Sequence, residues 1–120
     1  SLYPALNGKE LTEFKLQPAD EFLIYNADQF GSIDLASNYL PLLVSSEAPR
    51  LALKTRLAIA LNGKIMSATR VFSEPPKQKK FAAMLPESEF LSGKNTLSIH
   101  RLEEQGGIFT LFESTIGSLK

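Results

Sequence analysis

The chain has 120 residues, 43% of them apolar and 22% charged, with 13 basic residues balanced by 13 acidic ones. Zero net charge argues against a whole-domain electrostatic footprint for nucleic acid. The absence of cysteine removes thiol nucleophiles, thiolate metal sites and disulfides, and no apolar run approaches the roughly 20 residues of a membrane-spanning helix.

A chain of this size is expected to form one domain over residues 1–120, with a core that needs no covalent staples. Its start, Ser1-Leu2-Tyr3-Pro4, carries no initiator Met and no signal peptide, and reads as a cut inside a longer protein. Residues 3–9, with Pro4 and an Asn7-Gly8 turn, form an entry segment. Residues 11–16 have the look of a short strand that Pro18-Ala19-Asp20 breaks. Phe22-Leu23-Ile24-Tyr25 is an apolar run of strand length. Residues 26–31 are a polar loop, and Ile33 to Leu35 a brief strand. Residues 39–44 are apolar but interrupted by Pro41, the mark of an edge or bulged strand. Residues 45–50, with Pro49, read as a turn.

The strongest pattern comes next. Leu51, Leu53, Thr55, Leu57, Ile59 and Leu61 alternate with Ala52, Lys54, Arg56, Ala58 and Ala60. Period two over eleven residues is the strand signature, although Ala, Leu, Lys and Arg are also good helix formers. Asn62-Gly63 favours a type I′ turn, because both central residues need positive φ. A two-residue loop pairs Leu61 with Lys64, Ile59 with Met66, Leu57 with Ala68 and Leu53 with Phe72. Arg70 then falls opposite Thr55 on the core-facing side, so it needs a sheet rim or a partner.

Residues 75–80, Pro-Pro-Lys-Gln-Lys-Lys, end that strand in an exposed connection. Phe81, Ala83 and Leu85 alternate as a further strand. Residues 86–90 form one helical turn with Pro86 at its first position. Residues 96–102 are a strand, Gln105-Gly106-Gly107 a turn, and residues 108–112 a closing strand. The sum is an all-β chain, an antiparallel, jelly-roll-like β-sandwich of about eight strands. The expected core holds Phe22, Ile24, Leu57, Ile59, Leu61, Met66, Phe72, Phe81, Leu97, Ile99 and Phe112. Leu-Asn-Gly-Lys occurs at both 6–9 and 61–64, a coincidence of turn chemistry.

Chemistry is sparse. The single histidine, His100, lies on the Ser98–Leu102 face of its strand, opposite Leu97 and Ile99, and reads as a surface or rim imidazole with ligand contact as the alternative. No His cluster has metal-ligand spacing. The acids are scattered, without a calcium-loop pattern or a positional carboxylate pair. Ser92-Gly93-Lys94-Asn95-Thr96 is similar to the end of a phosphate loop, but it lacks the upstream glycine and leads into a β pattern, so it reads as a tight turn. Lys77-Gln78-Lys79-Lys80 is a weak basic patch, in keeping with a solvated loop that guards a sheet edge. There is no Trp, and most of the eight Phe and three Tyr belong to the core. Tyr3, Tyr25 and Tyr39 remain for stacking on a sugar face. The candidate ligand-contacting residues are Tyr39 and His100. No catalytic residue, metal or cofactor is expected.

The run 57–64 followed by 90–99 resembles the galactose-binding-like jelly rolls, in which an apolar strand leads to Asn-Gly-Lys and a later Gly-Lys-Asn or Gly-Glu-Asn turn opens a strand. A wider set is similar, in its order, to a non-catalytic domain attached to bacterial membrane-anchored proteins of the sulfatase-like hydrolase group. It comprises 31–35, 39–44, the Leu-Asn-Gly-Lys hairpin with 69–72, and Met84-Leu85-Pro86-Glu87-Ser88. The resemblance implies an accessory domain of a periplasmic or otherwise extracytoplasmic protein, with the catalytic metal and nucleophile in another domain. Its partners would be other domains of the parent. The competing expectation is a carbohydrate-binding module. Exposed aromatics beside polar groups would favour the module, an apolar patch the interaction domain, and His100 converging with two carboxylates an enzyme.

Overall fold

The computed structural model describes residues 2–14, 16–25, 30, 33–36, 40–48, 51–74 and 78–119, with backbone alone for 16–25, 74 and 113–119. The strands are β1 (Leu16–Tyr25), β2 (Leu43–Glu47), β3 (Arg56–Leu61), β4 (Lys64–Arg70), β5 (Phe72–Glu74), β6 (Gln78–Met84), β7 (Leu97–Gln105) and β8 (Ile108–Leu119). Seven of them have five residues or more, and β5 has three. One sheet has the order β1-β8-β7-β3-β4 and the other β2-β6-β5. The two pack as the β-sandwich that the alternation predicts. Pairing is antiparallel throughout the described strands except at one edge, where β1 runs parallel to β8.

The Asn62-Gly63 turn forms as expected. Both residues have positive φ, 52° and 84°, and Leu61 pairs with Lys64. Beyond the first pairs the expected register fails. Ala60 pairs with Ile65, but Ile59 pairs with Ser67, so Met66 is an extra residue, a β-bulge. Met66 is buried in the sandwich core and Ile65 beneath the other face, the ordinary alternation of consecutive strand residues. The bulge moves the partner of Arg70 from Thr55 to Arg56.

The eleven-residue strand is likewise corrected. β3 starts at Arg56, because Lys54 adopts φ 69° and turns the chain, leaving Leu53 52% exposed. At the N-terminal side, Leu11–Glu13 is a 3-10 turn, not a strand, closed by a reciprocal Glu10–Glu13 capping box. Pro18 does not break β1; its strand passes through with a register shift between Pro18 and Asp20, at a sheet edge where proline is tolerated. Ile33 makes a single bridge to Gly93, and β2 extends to Glu47 where a turn was expected. Gln78 to Lys80 belong to β6; residues 75–77 of the expected connection lie outside the described residues. A 3-10 turn at Glu87–Glu89 follows Pro86, which sits at its cap. Gly106 and Gly107, both at positive φ, make a second two-residue turn between Gln105 and Ile108.

The core lies between the sheets. Leu57, Ile59, Leu61, Met66, Phe81 and Ile99 are buried in it, with Leu97 packed against its edge. Phe112 is half-buried, its ring 4.0 Å from the Arg101 guanidinium carbon. Phe72 departs from expectation at 42% exposure. The chain crosses from one sheet to the other at Val71, which takes the core position, and Phe72 begins β5 on the outer side. The side chains of Phe22 and Ile24 lie outside the described residues.

The five-stranded sheet is covered on its second face too. Ala58, Ile65, Ala68, Leu102 and Leu111 bury Leu6, and Tyr3, Leu11, Phe14 and Phe109 close over them. Alanines on this face let the N-terminal segment approach closely. The same segment bonds to the edge of β4: Leu2 N to Ala68 O at 2.9 Å, Gly8 N to Ile65 O at 2.6 Å, and Ile65 N to Lys9 O at 2.8 Å. An otherwise open strand edge is thereby covered.

Candidate functional site

His100 is not at a rim. It is 3% exposed, because the face it shares with Ala58 is the one the N-terminal segment covers. Its Nδ1 lies 2.9 Å from Phe112 O and its Nε2 2.8 Å from Ser98 Oγ. A carbonyl facing Nδ1 requires the proton there. The ring thus takes a backbone acceptor of β8 just past the β7–β8 pairs, which run from Leu102–Leu111 to Gln105–Ile108. Tyr39 lies outside the described residues, so the two sequence candidates are not brought together. Among the described residues no group of three His, Asp or Glu side chains is placed to hold a metal ion, and no helix is long and apolar enough to cross a membrane.

The Gly-Lys-Asn segment is a structural turn. Gly93 has φ 86° and bridges to Ile33. Asn95 is buried with its amide bonded on both sides, as a tight turn requires.

A cleft beside β6 was not visible in the sequence. β6 pairs with β2 along Lys80 to Met84, but with β5 only over Gln78 to Lys80. Past Lys80 its second edge pairs with no strand among the described residues and faces β4. Thr69 Oγ1 crosses the gap and donates to Ala82 O at 2.9 Å. Around that bond lies a space of about 480 Å³, lined by Leu43, Met66, Ser67, Thr69, Ala82 and Met84 among others. Both methionines of the chain line it.

The pleat fixes what this edge presents. Leu85 N–H donates to Leu42 O on the β2 side, whereas Ala82 O points to the β4 side. Backbone polar groups alternate sides along a strand. The amides of Ala82 and Met84 and the carbonyl of Met84 therefore face the cleft. Leu43 and Met84, cross-strand partners, stand at its rim 54% and 61% exposed. Phe72 shares that outer face through its pairing with Lys80. Polar backbone at a strand edge, flanked by adaptable thioether and aliphatic side chains, can take an extended segment as an added strand.

Comparison with known protein families, curated proteins and solved structures gives no match for this chain.

Proposed function

We propose that this chain is a non-catalytic accessory or interaction domain of a larger, extracytoplasmic protein, and that it receives an extended segment of its partner along β6. The observation that carries the reading is the edge from Ala82 to Met84, which no strand pairs among the described residues, with exposed Leu43 and Met84 beside it. The partner segment is another part of the parent protein, in keeping with the sequence resemblance to a hydrolase-attached domain. Amide hydrogen exchange tests it. In the intact gene product the Ala82 and Met84 amides exchange more slowly than in the 120-residue chain alone; equal exchange in the two overturns the reading. Turnover of a sulfate or phosphate ester by the isolated chain, abolished by His100→Ala, would overturn its non-catalytic part. Selective retention of one sugar on a glycan array, lost in Tyr39→Ala, would replace it with the carbohydrate-binding reading.

A further inference from the structure

At the end of the five-stranded sheet away from the Asn62-Gly63 turn, two arginines stand directly opposite each other. Arg56 opens β3, Arg70 closes β4, and the two are register partners. Directly opposed residues on antiparallel strands share a face, with Cβ atoms about 4.5–5.5 Å apart, and like charges so placed repel. The two acids that follow Leu102, the β7 register partner of Arg56, are engaged elsewhere. Glu103 Oε1 accepts from Arg101 at 3.2 Å, and Glu104 Oε1 accepts from Gly107 N–H at 3.2 Å.

Arg56 is nevertheless held in place. Its Nη1 donates to the Tyr3 hydroxyl, and its guanidinium carbon lies 5.7 Å from the Tyr3 ring centroid. Phe109 meets the Tyr3 ring edge-on at 5.2 Å and fixes it in turn. Arg70 is exposed and makes no hydrogen bond or ion pair among the described residues. One guanidinium is oriented by aromatic packing, its neighbour is free to swing, and both sit on paired strands.

We propose that Arg56 and Arg70 form an oxyanion site, taking a sulfate, phosphate or carboxylate group between the two guanidiniums. An oxyanion there converts the repulsion of the pair into charge-assisted hydrogen bonds, for which the planar five-donor guanidinium is suited. The group is either a free inorganic anion or one borne on an acidic polysaccharide. This site is separate from the β6 cleft and does not rest on it.

The test titrates inorganic sulfate and phosphate into the 120-residue chain at constant ionic strength, reading the arginine Nε–Hε resonances, with chloride as the control. Saturable shifts confined to the Arg56 and Arg70 side chains are expected, and their loss in Arg70→Gln. That position is exposed, so the variant keeps the wild-type melting temperature or exceeds it. Shifts that stay linear, that chloride reproduces, or that survive Arg70→Gln overturn the proposal. A sulfated or uronate polysaccharide column separates the sources: retention lost in Arg70→Gln identifies a polymer-borne group, and saturation by inorganic anion without retention identifies a free one.

Discussion

Asn62 Nδ2 donates to Asn95 Oδ1 across 2.9 Å, and that bond joins the two turns that stand out most clearly in the sequence. Asn62 Oδ1 accepts from Thr96 N at 2.8 Å, while Asn62 N donates to Thr96 O at 2.7 Å. Asn95 in turn accepts from Leu91 N at 2.9 Å and donates to Leu91 O at 2.8 Å and Gly93 O at 3.2 Å. Every partner agrees with one amide orientation. The hairpin and the turn that opens β7 are therefore a single cross-linked unit.

Asn95 is only 4% exposed, so its replacement leaves polar groups without their partner. Asn95→Ala is expected to lower stability by about 1–3 kcal/mol. Asn95→Asp keeps the shape but sets a carboxylate oxygen against two carbonyls. It should be the worse of the two at neutral pH and should recover in mild acid, where protonation restores a donor. Urea unfolding of both variants at the two pH values checks the order.

Leu57 and Ile99 are both fully buried on the face between the sheets. Leu57→Ala and Ile99→Ala should each cost about 2–5 kcal/mol, from lost burial and the cavity left behind. Chemical denaturation showing under about 0.5 kcal/mol for both would mean that the buried face is assigned wrongly.

What the sequence discloses here is local chemistry. Asn62-Gly63 announces itself because few residues tolerate positive φ, and alternation over 57–61 marks which residues face inward. The bulge at Met66 carries no such marker. Ile65 and Met66 are both apolar, so nothing in the residue pattern sets the extra residue apart. One unmarked residue then displaces the register, so that Arg70 meets Arg56 and not Thr55. Lys54 at positive φ is similarly silent, and alternation that continues through 51–55 imitates strand where the chain turns. The burial of His100 depends on the N-terminal segment lying across the sheet. The β6 cleft depends on where β5 stops relative to β6. Both are long-range placements with no local residue pattern.

His100 links two strands through its ring, and this gives a contrast between variants. His100→Leu fills similar space but leaves the Phe112 carbonyl without the imidazole donor. A loss of about 1–3 kcal/mol is expected. His100→Asn can keep an N–H near the Nδ1 position and should lose less. Thermal unfolding of the two variants side by side decides it; equal losses would mean that ring volume, not the hydrogen bond to β8, is what the site requires.

Ser46 is the opposite case. It is 1% exposed, lies opposite Phe81 in the β2–β6 pairing, and its Oγ has no hydrogen-bond partner among the described residues. A hydroxyl taken out of water without compensation is unfavourable in the folded state. Ser46→Ala removes it with almost no change of shape, so stability should be unchanged or higher by up to about 1 kcal/mol. Urea denaturation reads this as a midpoint that holds or rises at constant slope. A loss of more than about 1 kcal/mol would show that the hydroxyl has a partner in solution, such as a buried water.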